Sequence, residues 1–207
     1  MGNTQGHTLM LKRASFKTNQ SDGNTNTVTI RFDANDPSCP YLSYTGQYKE
    51  LQRGVFVLHG QGRMLWKNGD EYEGQWRRNK RHGHGVMTWL EAEESWRVKP
   101  RKERYEGEWR NDRMHGRGAM EWSDGSCYCG EWRKGMEDGV GVYIYPNEDK
   151  WVGAWRKGKR ERRRTEGRLV ERGHEDEIEC QNIWEDDDTF DFAVEVMATF
   201  LPMTKQP

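Results

Sequence analysis

The sequence predicts an all-β fold, a series of β-hairpins stacked on one shared row of aromatic side chains, followed by a short C-terminal helix. Three observations lead there. The composition excludes a large aliphatic core: of 207 residues only 33% are hydrophobic and 32% are charged, with mean hydropathy -1.16, against about 45–50% apolar in an ordinary soluble domain. Full disorder is excluded too, because the chain holds 10 Trp, 8 Tyr, 6 Phe and 23 Gly, and disordered segments are poor in aromatics. Finally, the aromatics and glycines recur at a fixed period.

The recurring string is Tyr-x-Gly-x-Trp. It appears as Tyr72, Gly74, Trp76; as Tyr105, Gly107, Trp109; and as Tyr128, Gly130, Trp132. Trp151, Gly153, Trp155 is a variant, and Tyr44, Gly46, Tyr48 a degenerate first copy. A His-Gly-x-Gly element follows in the same phase, at His59, His82 and His115, with Asp138-Gly139 in the fourth place. Tyr105, Tyr128 and Trp151 are 23 residues apart; Tyr44 to Tyr72 is 28 and Tyr72 to Tyr105 is 33. The unit is therefore 23 residues, with a five-residue insertion in the first copy and a ten-residue insertion around 90–101. Self-similarity at such a period marks a repeat architecture.

Each unit reads as a hairpin. Tyr-x-Gly-x-Trp alternates large and small side chains with the period of a strand. A polar turn such as Arg110-Asn111-Asp112-Arg113 follows, and Gly116-x-Gly118-x-Met120 alternates again. Asp124-Gly125 marks the turn into the next unit. The glycines allow close backbone approach, and Tyr and Trp fill the space they leave. One hairpin is marginal alone; stacked copies share a core.

The flanks differ from the array. Residues 1–43 are a polar arm in which Val28, Ile30 and Phe32 alternate, either a capping strand or an extended arm; 44–160 is the array of five units, the last partial. A charged linker spans 161–185, and 186–207 is an acidic amphipathic helix. Its stripe is Phe190, Ala193, Val194, Met197 and Phe200, ended by Pro202. That helix either covers the last open hairpin or docks on a partner; covering an edge strand is the preferred reading.

Net charge is -1, which exerts no global pull on nucleic acid or membrane. The balance hides a dipole: residues 150–173 sum to +7 and 174–207 to -9. No apolar run approaches a membrane span, and the N-terminus has no signal-peptide core. Four Cys then read as free thiols, and a cytoplasmic location is expected. No P-loop or Gly-x-Ser-x-Gly elbow occurs. The His series is periodic, so it does not converge on a metal and is expected to support the turns. Cys127-x-Cys129 sits where other units carry Glu71 and Glu73, which implies no metal or redox role. No enzyme activity, cofactor or metal is expected, and no catalytic residue is assigned.

Together these motifs resemble the MORN repeat family, over roughly residues 44–159. The resemblance implies an elongated, twisted single-layer sheet that serves as a scaffold or binding rail. The chain is also similar to the small stand-alone MORN proteins of cilia and sperm flagella. An insertion follows Trp89 as it does in them, and Glu195, Met197, Ala198 and Phe200 fall in the order of their terminal helix. That likeness implies a structural adaptor in the cytoplasm and cytoskeleton, in a ciliary or flagellar axoneme, with axonemal or tubulin-associated protein partners. The candidate binding face is the set of turn cations: Arg77, Arg78, Arg81, Arg110, Arg113, Arg133, Lys134, Arg156 and Lys157. The alternative use of the same cations is peripheral binding of anionic phospholipid; nucleic acid is not an expected partner.

Overall fold

A computed structural model describes residues 15–19, 27–53, 55–90, 102–161 and 168–170. The expected helix over 186–207 with its stripe Phe190, Ala193, Val194, Met197 and Phe200, most of the preceding linker, and residues 91–101 of the long insertion lie outside them. The chain divides into two compact units, Met1–Arg113 and Met114–Pro207. The first holds β1 (Ser15–Asn19), β2 (Thr27–Arg31), β3 (Tyr41–Gln52), β4 (Val55–Trp66), β5 (Glu71–Arg77), β6 (Lys80–Leu90) and β7 (Lys102–Arg110). Each pairs antiparallel with the next. The second holds β8 (Arg113–Glu121, starting one residue before the unit does), β9 (Cys127–Arg133), β10 (Met136–Ile144), β11 (Lys150–Arg156), β12 (Lys159–Arg160) and β13 (Arg168–Val170). From β8 to β12 neighbours pair antiparallel in chain order, and β13 pairs with the other half of β11. All regular structure among the described residues is strand, as the repeat pattern predicts.

The motif glycines lie opposite one another. In the first unit Gly46, Gly62, Gly74, Gly85 and Gly107 form one row across five strands. In the second, Gly118, Gly130, Gly141 and Gly153 do the same. A tyrosine lies over the pairs Gly46–Gly62, Gly74–Gly85 and Gly130–Gly141, and the Trp151 ring over Gly153: a Cβ added to Gly85 would stand 2.3 Å from the Tyr72 hydroxyl, and one on Gly141 2.3 Å from that of Tyr128. The rings of Tyr44, Tyr72, Tyr105 and Tyr128 are fully buried, at 0% exposure. Trp76 and Trp109 each stand edge-on between two tyrosines, and Trp155 between Tyr128 and Trp151. Trp76 has Tyr44 at 5.8 Å and Tyr72 at 5.1 Å; Trp109 has Tyr72 at 5.5 Å and Tyr105 at 5.1 Å. The quadrupoles of the rings favour this geometry.

Polar atoms in the ladder are paired periodically. The tyrosine hydroxyl donates to the carbonyl three residues on: Tyr44 to Gln47 at 2.7 Å, Tyr72 to Gln75 at 3.0 Å, Tyr128 to Glu131 at 3.2 Å. Burial pushes the phenols of Tyr44, Tyr72 and Tyr128 far above the ordinary tyrosine range, so they stay protonated donors. The indole N–H of Trp76, Trp109 and Trp132 donates to Gly62, Gly85 and Gly118 oxygens at 2.9–3.0 Å.

Β2 belongs to the sheet. Val28 and Ile30 lie opposite Gly46 and Tyr44 and are 2% and 0% exposed, so this strand covers the first face of the ladder. The five-residue insertion lengthens the first hairpin: Tyr48, Lys49 and Glu50 pair with Leu58, Val57 and Phe56.

The loops between units use a left-handed residue, with φ of 90° at Gly69 and 87° at Gly125. Glu148 occupies the same place before Asp149 at φ 69°, where a side chain is strained. Glu148→Gly is therefore expected to raise stability by about 0.5 kcal/mol, the relief of roughly 1 kcal/mol of left-handed strain less the entropy of a glycine in the unfolded chain. Urea denaturation checks it; a lowered midpoint would count against the strain.

Candidate functional site

The candidate site is the rim where the hairpins turn. Both central turn residues have positive φ: Arg78 and Asn79 at 51° and 65°, Asn111 and Asp112 at 51° and 66°, Lys134 and Gly135 at 57° and 85°, Lys157 and Gly158 at 51° and 77°. These are type I′ turns, whose twist matches that of the strands they join. Each turn is also tied to the preceding hairpin. In the first unit the N–H of Asn79 donates to Leu58 O at 3.0 Å and that of Asp112 to Arg81 O at 3.1 Å. In the second, Gly135 donates to Met114 O and Gly158 to Glu137 O, both at 2.9 Å. Asn79 and Asp112 add a side-chain acceptor, taking Leu58 N–H at 2.7 Å and Arg81 N–H at 2.9 Å. The turns are thus fixed in position and carry their side chains on a rigid base.

The predicted cations divide into two kinds. Arg77, Arg78, Arg110, Arg113, Arg133, Lys134, Arg156 and Lys157 are exposed. Among the described residues only Arg156 of these forms an ion pair, with Glu161 at 3.7 Å. Arg81 is different. Its guanidinium lies 4.3 Å above the Trp109 ring and 5.8 Å from Tyr72, with Asp112 Oδ1 3.5 Å from Nε. Burial pulls its pKa down and Asp112 pushes it back up. Arg81 is a strut of the aromatic ladder, not a free surface charge. Arg160, at the matching place of the last hairpin, lies 4.8–5.4 Å from the Tyr143, Tyr145, Trp151 and Trp155 rings.

The histidines sit at a bulge. Between Gly74↔Gly85 and Trp76↔Arg81 the long strand has two extra residues, and Gly83 there has φ 63°. The residue between Gly and Trp of the motif explains why. Gln75 Oε1 reaches the bulge and accepts His84 N–H at 3.3 Å; Gln47 does the same for Gln61 N–H at 2.7 Å, and Glu131 for Val140 N–H at 2.8 Å. A Cβ on Gly83 would stand 1.7 Å from Gln75 Oε1. The sequence reading missed this role, although the signal was present: the position holds Gln47, Gln75, Glu108 and Glu131 in succession.

On the face opposite the aromatic ladder, the first unit has a trough of about 460 Å³ lined by Gln61, Glu71, Glu73, His84, Arg104 and Glu106 among others. Arg63 holds Glu71 through two bonds of 2.7 and 2.8 Å, and Arg104 pairs with Glu106. In the second unit Cys127 and Cys129 occupy the positions of Glu71 and Glu73 and are buried. Among the described residues no three His, Cys, Asp or Glu side chains are placed to hold a metal ion.

A repeat protein of stacked β-hairpins, with a rigid charged rim, is the class that this geometry defines. The family model for the MORN repeat matches residues 57–71, 72–89, 105–127 and 128–150, so the chain carries four recognisable MORN repeats. The first match begins inside β4, although the Tyr44 copy has the same hairpin geometry. No curated protein matches the chain. The MORN repeat is a non-enzymatic binding repeat, used to bind proteins or membrane lipids.

Proposed function

We propose that this chain is a structural adaptor that binds a protein partner through the exposed cations of its hairpin turns. The observation that carries the reading is that seven of them, Arg77, Arg78, Arg110, Arg113, Arg133, Lys134 and Lys157, have no ion pair among the described residues. They stand on turns locked by hydrogen bonds, so little side-chain-bearing backbone has to be ordered on binding. An acidic protein surface complements them. The likeness to the small ciliary and flagellar MORN proteins supports an axonemal setting in the cytoplasm and cytoskeleton, with tubulin-associated proteins as partners.

The test is charge reversal in each unit separately, Arg77→Glu with Arg110→Glu and Arg133→Glu with Lys134→Glu. Capture of acidic partners from ciliated-cell extract is expected to fall at least tenfold and to weaken with salt. Unchanged capture would sink the adaptor reading. Flotation with phosphoinositide vesicles separates the alternative: each cation near an anionic surface contributes about 1 kcal/mol, so the lipid reading requires binding at low salt that the reversals abolish.

A further inference from the structure

One row of the first unit differs from a general basic rim. His82 lies directly opposite Arg110, and the register that sets Gly60 against Trp76 puts His59 beside Arg77. Arg77 and Arg110 stand on the strand face away from the buried Trp76 and Trp109, and both are exposed. Across β5 and β6 the register sets Arg77 opposite Lys80, with His82 two residues further along β6 in the bulge, so four adjacent strands carry His59, Arg77, His82 and Arg110 in a stepped line, alternating imidazole and guanidinium. At about 4.8 Å per strand the line is roughly 14 Å long.

The imidazoles are oriented for a ligand. His59 Nδ1 and His82 Nδ1 are buried and have no hydrogen-bond partner among the described residues. The Nε2 atoms make no bond there either, and they are the nitrogens left to face outward. Burial, Arg77 and Arg110 together lower the His82 pKa, which places both guanidiniums in its field. The other groups around His82 are Lys80 and His84 on its own strand, Gln75 on β5 and Glu108 on β7. In the second unit the place before Gly139 is taken by Asp138, whose Oδ2 accepts Lys157 N–H at 3.2 Å. His115 lies beside Arg133 in that unit by the register that sets Gly116 against Trp132, but the next place in the row is this anion, which would repel a negative ligand.

We propose that His59, Arg77, His82 and Arg110 form a single-file anion rail that takes an extended acidic segment of a partner protein. The Nε2–H groups donate to carboxylates and the guanidiniums supply the charge. At about 3.3 Å per extended residue the rail covers roughly four residues. A protein segment fits better than a bilayer, because Glu71, Glu73 and Glu106 stand further along the same strand face. A flat anionic surface would meet them, whereas a single chain can follow the row. This proposal rests on the adaptor reading and gives it a site.

The test uses the full chain, with fluorescein-labelled hexaglutamate as probe at low salt. Hexaglutamate is expected to bind severalfold tighter at pH 5.5 than at pH 7.5, since an anion favours protonated His82. It should also raise the His82 titration midpoint followed by NMR. His59→Gln with His82→Gln is expected to cost about tenfold in affinity and to flatten the pH dependence. Arg77→Gln with Arg110→Gln, two exposed positions, gives a second variant if the histidine pair fails to fold. Affinity unchanged in both variants, or anionic vesicles bound through this row while hexaglutamate is not, would overturn the rail. If partner capture depends on Arg133 and Lys134 but not on this row, the adaptor reading stands and the rail falls.

Discussion

Gly130→Ala is expected to destabilise the second unit by about 3 kcal/mol, the upper end of what overpacking usually costs. Its Cβ would lie 2.5 Å from Val140 O, 2.6 Å from Gly141 Cα and 2.6 Å from the Tyr128 hydroxyl. Two of these atoms are backbone of the paired strand, so no rotamer change relieves the clash. Tyr128 is held from the other side, with Trp132 at 5.3 Å and Trp155 at 5.1 Å. Relief requires the strands to part, which breaks the glycine row and the ladder together. A domain of this size loses roughly 4–8 °C per kcal/mol, so the melting midpoint should fall by about 12–24 °C. Gly135→Ala is the control. No atom lies within 4 Å of its Cβ, and only φ 85° opposes it, at about 1–2 kcal/mol. Equal losses in the two variants would show that crowding is not what holds glycine at position 130.

The ladder was legible because its causes are local and repeated. Tyr128 needs Gly130 beside it and Gly141 across from it, and all three recur in phase. The turns were legible for the same reason, since Asn111, Asp112 and Gly135 tolerate positive φ. Arg81 was not legible as a strut. Its neighbours Arg77 and Arg78 are the same residue type a few positions away, and it is the turn register, Arg77 opposite Lys80 and Trp76 opposite Arg81, that sets Arg81 on the aromatic face, where Trp109 of the following strand meets it. The Gln75 bond was missed because it spans a bulge whose offset no strand period predicts. The His59–Arg77–His82–Arg110 row needs the inter-strand register, which is fixed by glycine pairing 62↔74 and 85↔107 rather than by any local string.

Trp109→Ala is expected to cost about 3–5 kcal/mol, as removal of a buried indole usually does, and to disrupt the first unit around β6 and β7. Trp109 is 4% exposed and touches the fold in three ways: edge contacts with Tyr72 and Tyr105, a bond of 3.0 Å to Gly85 O, and the Arg81 guanidinium 4.3 Å above its ring. Truncation would leave a cavity, an orphaned carbonyl and a partly buried cation without its ring. The contributions separate by comparison with Trp155, which keeps ring neighbours at 5.1 and 5.2 Å but whose Nε1 is buried without a partner. Trp→Phe keeps an aromatic ring at either site. Trp109→Phe should therefore cost about 1 kcal/mol more than Trp155→Phe, the net worth of one hydrogen bond. At position 155 the substitution even removes an unsatisfied donor. Urea unfolding of the two variants reads the difference directly. A larger loss at Trp155 would mean that ring shape alone, and not the indole-to-carbonyl bond, selects tryptophan in each repeat.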